Sequence, residues 1–294
     1  MTATSESLSK LDDPYLDLLK KCLTRYIFPD RYVFPDTIPL RRPSRDNHPV
    51  AWLFYPALAT MMGYKAVKLY RYAKFGRYRK FDSIARSEGR DWPSEADTMI
   101  GLKRLDNLHA CIESVIRDQV LGDFIETGVW RGGACIFMRA ALNVYGDETR
   151  KIWLADSFEG LPRPDGRYRQ DEGSIFWKAS HTLAISLDQV RANFSRYGLL
   201  DERVRFLKGW FKDTLPTAPI ERLAILRLDG DMYSSTMDSL TSLYPKLSSG
   251  GFAIIDDYAI EACRKAVTDF RESNKINDPI LPIDWTGVYW RKTC

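Results

Sequence analysis

Five short apolar runs, each closed by a glycine or an acid, limit what this chain can fold into. They are GDFIETG from residue 122, KIWLADS from 151, RVRFLKG from 203, LAILRLDGD from 223 and GGFAIIDDY from 250. Each is too short for a buried helix and reads as a strand. A sixth strand-like alternation, TGVYWRK, lies near the C-terminus. Helical spacing fills the intervals. TMIGLKRLDNLHACIESVIRDQ carries apolar residues at 100, 102, 105, 108, 112, 115 and 116, and RGGACIFMRAALNVYG reads as a helix closed by Gly146. Strands alternating with helices predict an α/β chain: a mostly parallel sheet with helices on both faces. Such sheets bind ligands beyond the carboxyl ends of their strands, near the point where strand order reverses. Asp229 and Asp231 end one run, and Asp256 and Asp257 end another.

The stretch FIETGVWRGG, Phe124 to Gly133, is a strand, a glycine turn and a helix start. Glycines there let backbone approach a ligand, and helix N-terminal amides can donate to it. The spacing is neither GxGxxG nor GxxxxGK[ST], so neither the dinucleotide fingerprint nor a phosphate loop is indicated. The second strand ends in Asp156, about 30 residues after the turn, where an acid suits the two hydroxyls of an adenosine ribose. A helix N-cap is the competing role for that aspartate. Together these features indicate an adenosine-containing cofactor without saying which.

Charge is uneven. Residues 41–90 hold twelve Lys/Arg against three Asp/Glu, a local +9 in a chain of net +4, so the remainder is −5. This basic, aromatic segment includes KAVKLYRYAKFGRYRKF. It can cover the protein's own core, pair subunits, or lie on an anionic membrane surface or nucleic acid. We expect a homo-oligomer and no nucleic-acid partner, with the membrane surface left open through residues 41–90. The apolar run VAWLFYPALATMMGY is about 15 residues and too short to span a bilayer. Five cysteines without a CxxC pair read as reduced thiols, with no zinc site, in a cytoplasmic protein. The first residues lack the pattern of a secretory signal. Composition shifts divide the chain into residues 1–95, a helical, basic and aromatic extension, and residues 96–294.

The motifs ETGVWRGG, LADSFEGLP, GWFKDTLP, LRLDGDMYSST and GGFAIIDDY occur in that order. With them, residues 96–294 resemble the macrocin O-methyltransferase family, and PYLDLLKKCLTRYIF resembles its N-terminal helix. The resemblance implies a class I methyltransferase (Rossmann-like) fold with a seven-stranded sheet, S-adenosylmethionine as donor and a divalent metal, Mg²⁺. It implies that Glu126, Thr127, Gly128, Val129 and Trp130 border the donor's methionine and ribose. Asp156 and Ser157 would then meet the ribose hydroxyls, Gly209 and Trp210 would lie towards the adenine, and Thr98 and Met99 of DTMIG would lie close by.

Carboxylates gathered at strand ends repel one another unless protonated or bound to a cation. Hard oxygen ligands with room for water suit Mg²⁺ better than zinc. Asp229, Asp256 and Asp257 are the expected ligands, an assignment similar to the metal site of catechol-type methyltransferases. Asp231 is the expected base for an acceptor hydroxyl. The expected acceptor is a glycoside, methylated on one hydroxyl of a vicinal diol. A catechol, a carboxylate or a lipid-linked glycan is the alternative acceptor, and a non-enzymatic surface binder acting through residues 41–90 is the alternative class. His181 is a further candidate for acceptor deprotonation, though a surface histidine explains it as well. Residues 163–177, RPDGRYRQDEGSIFW, read as a mobile loop over the acceptor, with ordinary loop composition as the plainer account.

Overall fold

A computed structural model describes residues 13–28, 81–91, 93, 95–172, 174, 177 and 183–293. Most of the basic segment, and His181, lie outside the described residues, so the roles considered for them have no structural counterpart here.

In chain order the described elements are α1 (Pro14–Leu23), α2 (Ser83–Ser87), α3 (Leu102–Arg117), β1 (Asp123–Thr127), α4 (Gly133–Val144) and β2 (Ile152–Asp156). They continue with α5 (Leu187–Arg196), β3 (Val204–Lys208), α6 (Phe211–Thr214), β4 (Leu223–Leu228) and α7 (Tyr233–Leu243). The last are β5 (Leu247–Ile255), α8 (Glu261–Ser273), β6 (Leu281–Pro282) and β7 (Val288–Arg291). One seven-stranded sheet has the order β3-β2-β1-β4-β5-β7-β6. The first five strands run parallel, while β7 runs antiparallel to both β5 and β6. All six strands expected from the apolar runs are present. The seventh, β6, is two exposed residues, one a proline, and carries no apolar signal of its own.

Period-two alternation sends neighbouring side chains into two cores. Phe124 and Leu154 belong to one apolar cluster, and Ile125 and Trp153 to the other. Because both faces are covered, β4 is buried at every position, which is why its sequence is an unbroken apolar run apart from one arginine. Helix α4 is buried continuously from Gly133 to Leu142, as expected of a helix that is apolar all round.

Helix α1 starts where Asp13 Oδ1 accepts the backbone N–H groups of Tyr15 and Leu16, each at 3.0 Å, with Pro14 in the first turn. Its Leu16, Leu19 and Leu23 enter the same core as α3 and α4. The backbone N–H of Asp97 donates to Leu23 O at 3.0 Å. This part of the N-terminal region is thus built into the packing of the sheet domain.

Candidate active site

Strand order reverses between β1 and β4, and a cavity of about 270 Å³ opens at their carboxyl ends. Gly128 ends β1 at φ +87°, and a Cβ there would lie 1.7 Å from the carbonyl oxygen of Asp229. Only glycine lets the two strand ends approach so closely. The sheet ladder continues through this corner: Asp229 N–H donates to Thr127 O at 2.8 Å, and Gly128 N–H to Ala155 O at 2.9 Å.

Of the residues expected at the cofactor, Met99, Gly128, Trp130, Asp156, Ser157, Gly209 and Trp210 line this cavity, as do Asp229 and Asp231. Thr98, Glu126, Thr127 and Val129 are buried behind its wall. Thr127 packs its hydroxyl 3.3 Å from that of Ser239, and Val129 N–H donates to Asp156 Oδ2 at 2.8 Å. The DTMIG segment reaches the site because Gly133 N–H donates to Asp97 O at 2.9 Å, where a side chain on Gly133 would collide with Asp97 and Thr98.

Asp156 ties two loops together. Its Oδ2 accepts from Val129 in the glycine turn and its Oδ1 from Phe158 N–H at 2.7 Å. Burial raises its pKa, opposed by these backbone donors. A further backbone donor, the Trp130 N–H, also supports the charged form.

The acids on the β4–β5 side are arranged differently. Asp229, Asp256 and Asp257 each offer an oxygen within 4.8 Å of the others. Asp231 stands beside them at φ +57°, in the left-handed region, and its N–H donates to Asp257 Oδ2 at 3.0 Å. Burial, then the charge of Asp256, raises Asp229 to a pKa of about 6. Burial, then the charge of Asp229, raises Asp231 to about 7. Asp257 is pushed up by burial and by Asp231.

Two buried arginines answer part of this charge, and sequence reading had not singled them out. The Arg227 guanidinium bonds Glu126, Asp229 and Asp256, the Asp229 contact measuring 2.9 Å. Arg104 from α3 bonds the other oxygen of Asp256 and lies 2.9 Å from Asp284. Glu126 therefore faces Arg227, and its second oxygen accepts from the Cys135 thiol. Burial lifts Glu126 to about 7 against the pull of Arg227. Counting Glu126, Asp229, Asp231, Asp256, Asp257 and Asp284 against two arginines leaves a negative excess, and the three aspartates offer hard oxygens to a divalent cation. The sequence signal for Arg227 was present: a lone charge in the middle of LAILRLD.

Arg163, Asp165 and Arg167 line the cavity together with Lys212 and Asp238. Arg167 grips Asp238 through two 2.9 Å bonds and Asp165 through a third of 2.7 Å. Within the stretch expected as a loop over the acceptor, Arg167 thus joins the described residues to α7.

The macrocin O-methyltransferase (TylF) sequence profile matches residues 12–292. The chain is 50% identical over 282 residues to the 8-demethyl-8-(2,3-dimethoxy-alpha-L-rhamnosyl)-tetracenomycin-C 4'-O-methyltransferase of Streptomyces olivaceus, covering 96% of this chain and 93% of that protein. It is 57% identical over 216 residues to the mycinamicin III 3''-O-methyltransferase of Micromonospora griseorubida, covering 72% and 85%. Among solved structures, the O-methyltransferase NovP superposes with a TM-score of 0.78 at 43% identity, covering 95% of this chain and 98% of that one. Among the described residues, no helix is long and apolar enough to cross a membrane. Likeness of this extent, on a site built at the strand-order reversal, makes the chain an O-methyltransferase and a member of the macrocin O-methyltransferase family.

Proposed function

We propose that the chain transfers the methyl group of S-adenosylmethionine to a hydroxyl of a sugar on a glycosylated natural product, assisted by a divalent cation, Mg²⁺. One observation carries this reading. The cavity is lined on one side by Gly128, Trp130, Asp156, Ser157, Gly209 and Trp210, and on the other by Asp229 and Asp231. The donor's adenosine end suits the first side, where Asp156 stands at the end of β2 and two glycines leave room for the ligand. The relative from Streptomyces olivaceus, whose name specifies a rhamnosyl acceptor, supports a sugar hydroxyl as the nucleophile.

A sugar hydroxyl is a weak nucleophile until it loses its proton. Asp231 lines the cavity and is our candidate to take that proton as the oxygen attacks the methyl carbon. Asp229, Asp256 and Asp257 would hold the cation, which when bound supplies Lewis-acid polarisation of the acceptor oxygens. The remaining gain comes from alignment: the cavity walls hold donor and acceptor in line, replacing an encounter in solution. Beyond α1, whose leucines share the sheet-domain core, the residues before 96 are proposed as an extension with acceptor cover, subunit contact or surface docking as its task. The described cysteines are all free, which supports the cytoplasm as the compartment.

The test is methyl-labelled S-adenosylmethionine with a panel of rhamnosyl and other deoxysugar glycosides, in Mg²⁺ or in EDTA. Label is expected on a sugar oxygen, lost in EDTA and restored by Mg²⁺. Equal transfer in EDTA would remove the cation from the scheme. Transfer only to catechols or carboxylates would remove the sugar.

A further inference from the structure

Helix α7 begins at Tyr233, two residues after Asp231, and its own N-terminal boundary residue, Met232, makes no side-chain cap. The acceptors come from a distant loop. Asp171 places Oδ1 2.9 Å from the N–H of Tyr233 and Oδ2 2.9 Å from the N–H of Ser234. It is 3% exposed and closes a short 3-10 turn, Arg169–Asp171. Two further ties join the same loop to the same helix: the double bond pair from Arg167 to Asp238, and the Tyr168 ring with its centroid 4.9 Å from that of Tyr233. The loop contributes Arg163, Asp165 and Arg167 to the cavity, and the helix contributes Ser234, Ser235 and Asp238.

The three ties are unequal. The Arg167–Asp238 pair is partly exposed and open to solvent screening, though its two parallel bonds fix its geometry. Asp171 makes two charge-assisted bonds to backbone donors that would otherwise be unpaired inside the protein, at the positive end of a helix.

We infer that Asp171 is a positioning residue for methyl transfer: by capping α7 from the loop, it holds the Asp229–Asp231 corner and the loop that lines the cavity in one arrangement. Asp231 sits in a left-handed conformation, which persists only where its surroundings over-determine it. One restraint is its own N–H on Asp257, and the other is the first turn of α7, which Asp171 pins. Loosening that turn frees the corner and the loop together. This inference rests on the cavity being the methyl-transfer site.

The experiment uses the full chain with Asp171→Ala and Asp171→Asn. It measures methylation of a rhamnosyl glycoside accepted by the wild type, calorimetric binding of S-adenosylhomocysteine, and amide hydrogen exchange at Tyr233–Thr236. Asp171→Ala should lower kcat by about tenfold or more, through misplacement of a group that acts by alignment, while S-adenosylhomocysteine affinity stays within about twofold. Exchange at the first turn of α7 should accelerate. Asp171→Asn, whose amide turns a donor towards one of the two N–H groups, should recover at most part of kcat. An alanine variant with wild-type kcat would overturn the inference, as would one whose exchange at the first turn of α7 is unchanged. Failure of S-adenosylhomocysteine to bind the wild type would instead overturn the reading of the cavity.

Discussion

The two walls of the cavity handle negative charge in opposite ways. On the β1–β2 side, Asp156 is met by backbone N–H groups of its own loop and of the glycine turn. On the β4–β5 side, the lining acids Asp229 and Asp231, with their neighbours Asp256 and Asp257, are met chiefly by one another and by side-chain guanidinium groups from β4 and α3. Backbone donors come with the turn and need no counter-ion. Guanidinium groups compensate only as many acids as they can reach, and here the acids outnumber them. One wall is therefore complete as folded, while the other is balanced only when a cation or protons arrive.

The largest expected effect breaks the second wall from inside. Arg227→Met leaves Glu126 and Asp256 buried without their shared partner and should cost about 3–5 kcal/mol in chemical denaturation. Adding Glu126→Gln should restore part of that loss, and the coupling in the double-mutant cycle measures how far the network acts as a unit. Next in size is Asp229→Asn, which we expect to abolish Mn²⁺ binding in titration calorimetry and to lower kcat/KM by about 100-fold or more, with the fold kept. Binding of S-adenosylhomocysteine in EDTA should survive this change. If it is lost instead, the two walls are not independent.

Gly128→Ala strikes the point where the walls touch. Its Cβ would overlap the Asp229 carbonyl, at a φ that alanine tolerates poorly, so both donor binding and Mn²⁺ binding should weaken. A stability loss of about 1–3 kcal/mol or more should accompany the change.

The smallest effect serves as a control away from the cavity. His109 is fully buried, 3.1 Å from the Tyr145 hydroxyl, and burial followed by the nearby Lys20 lowers its pKa to about 4. The unfolded chain therefore binds the extra proton first. The stability contributed by keeping the ring neutral is complete above about pH 6.5 and is lost as pH falls towards 4. His109→Phe should flatten this part of the pH–stability curve without changing donor or metal binding.

The contrast between the walls also explains what reading the chain could reach. The glycine turn, Asp156 and the acid pairs were legible because each lies within a few residues of the strand end that positions it. The roles of Arg227, Arg104 and Asp171 were not, because Arg227 meets Glu126 across 101 positions, Arg104 meets Asp256 across 152, and Asp171 meets Tyr233 across 62. The arginine inside an apolar strand was a visible anomaly, yet its partners could not be named from spacing. Strand β6 escaped notice because it exists only by pairing with β7.

Local pattern alone determined the alternation of strands and helices, the parallel sheet, and the end of that sheet at which ligands gather, since period, turn chemistry and chain connectivity are properties of neighbouring residues. Tertiary structure alone decided which charges meet. A buried carboxylate's partner is selected by packing between elements far apart in the chain, and the energetic demand to satisfy it applies only once those elements have closed around it.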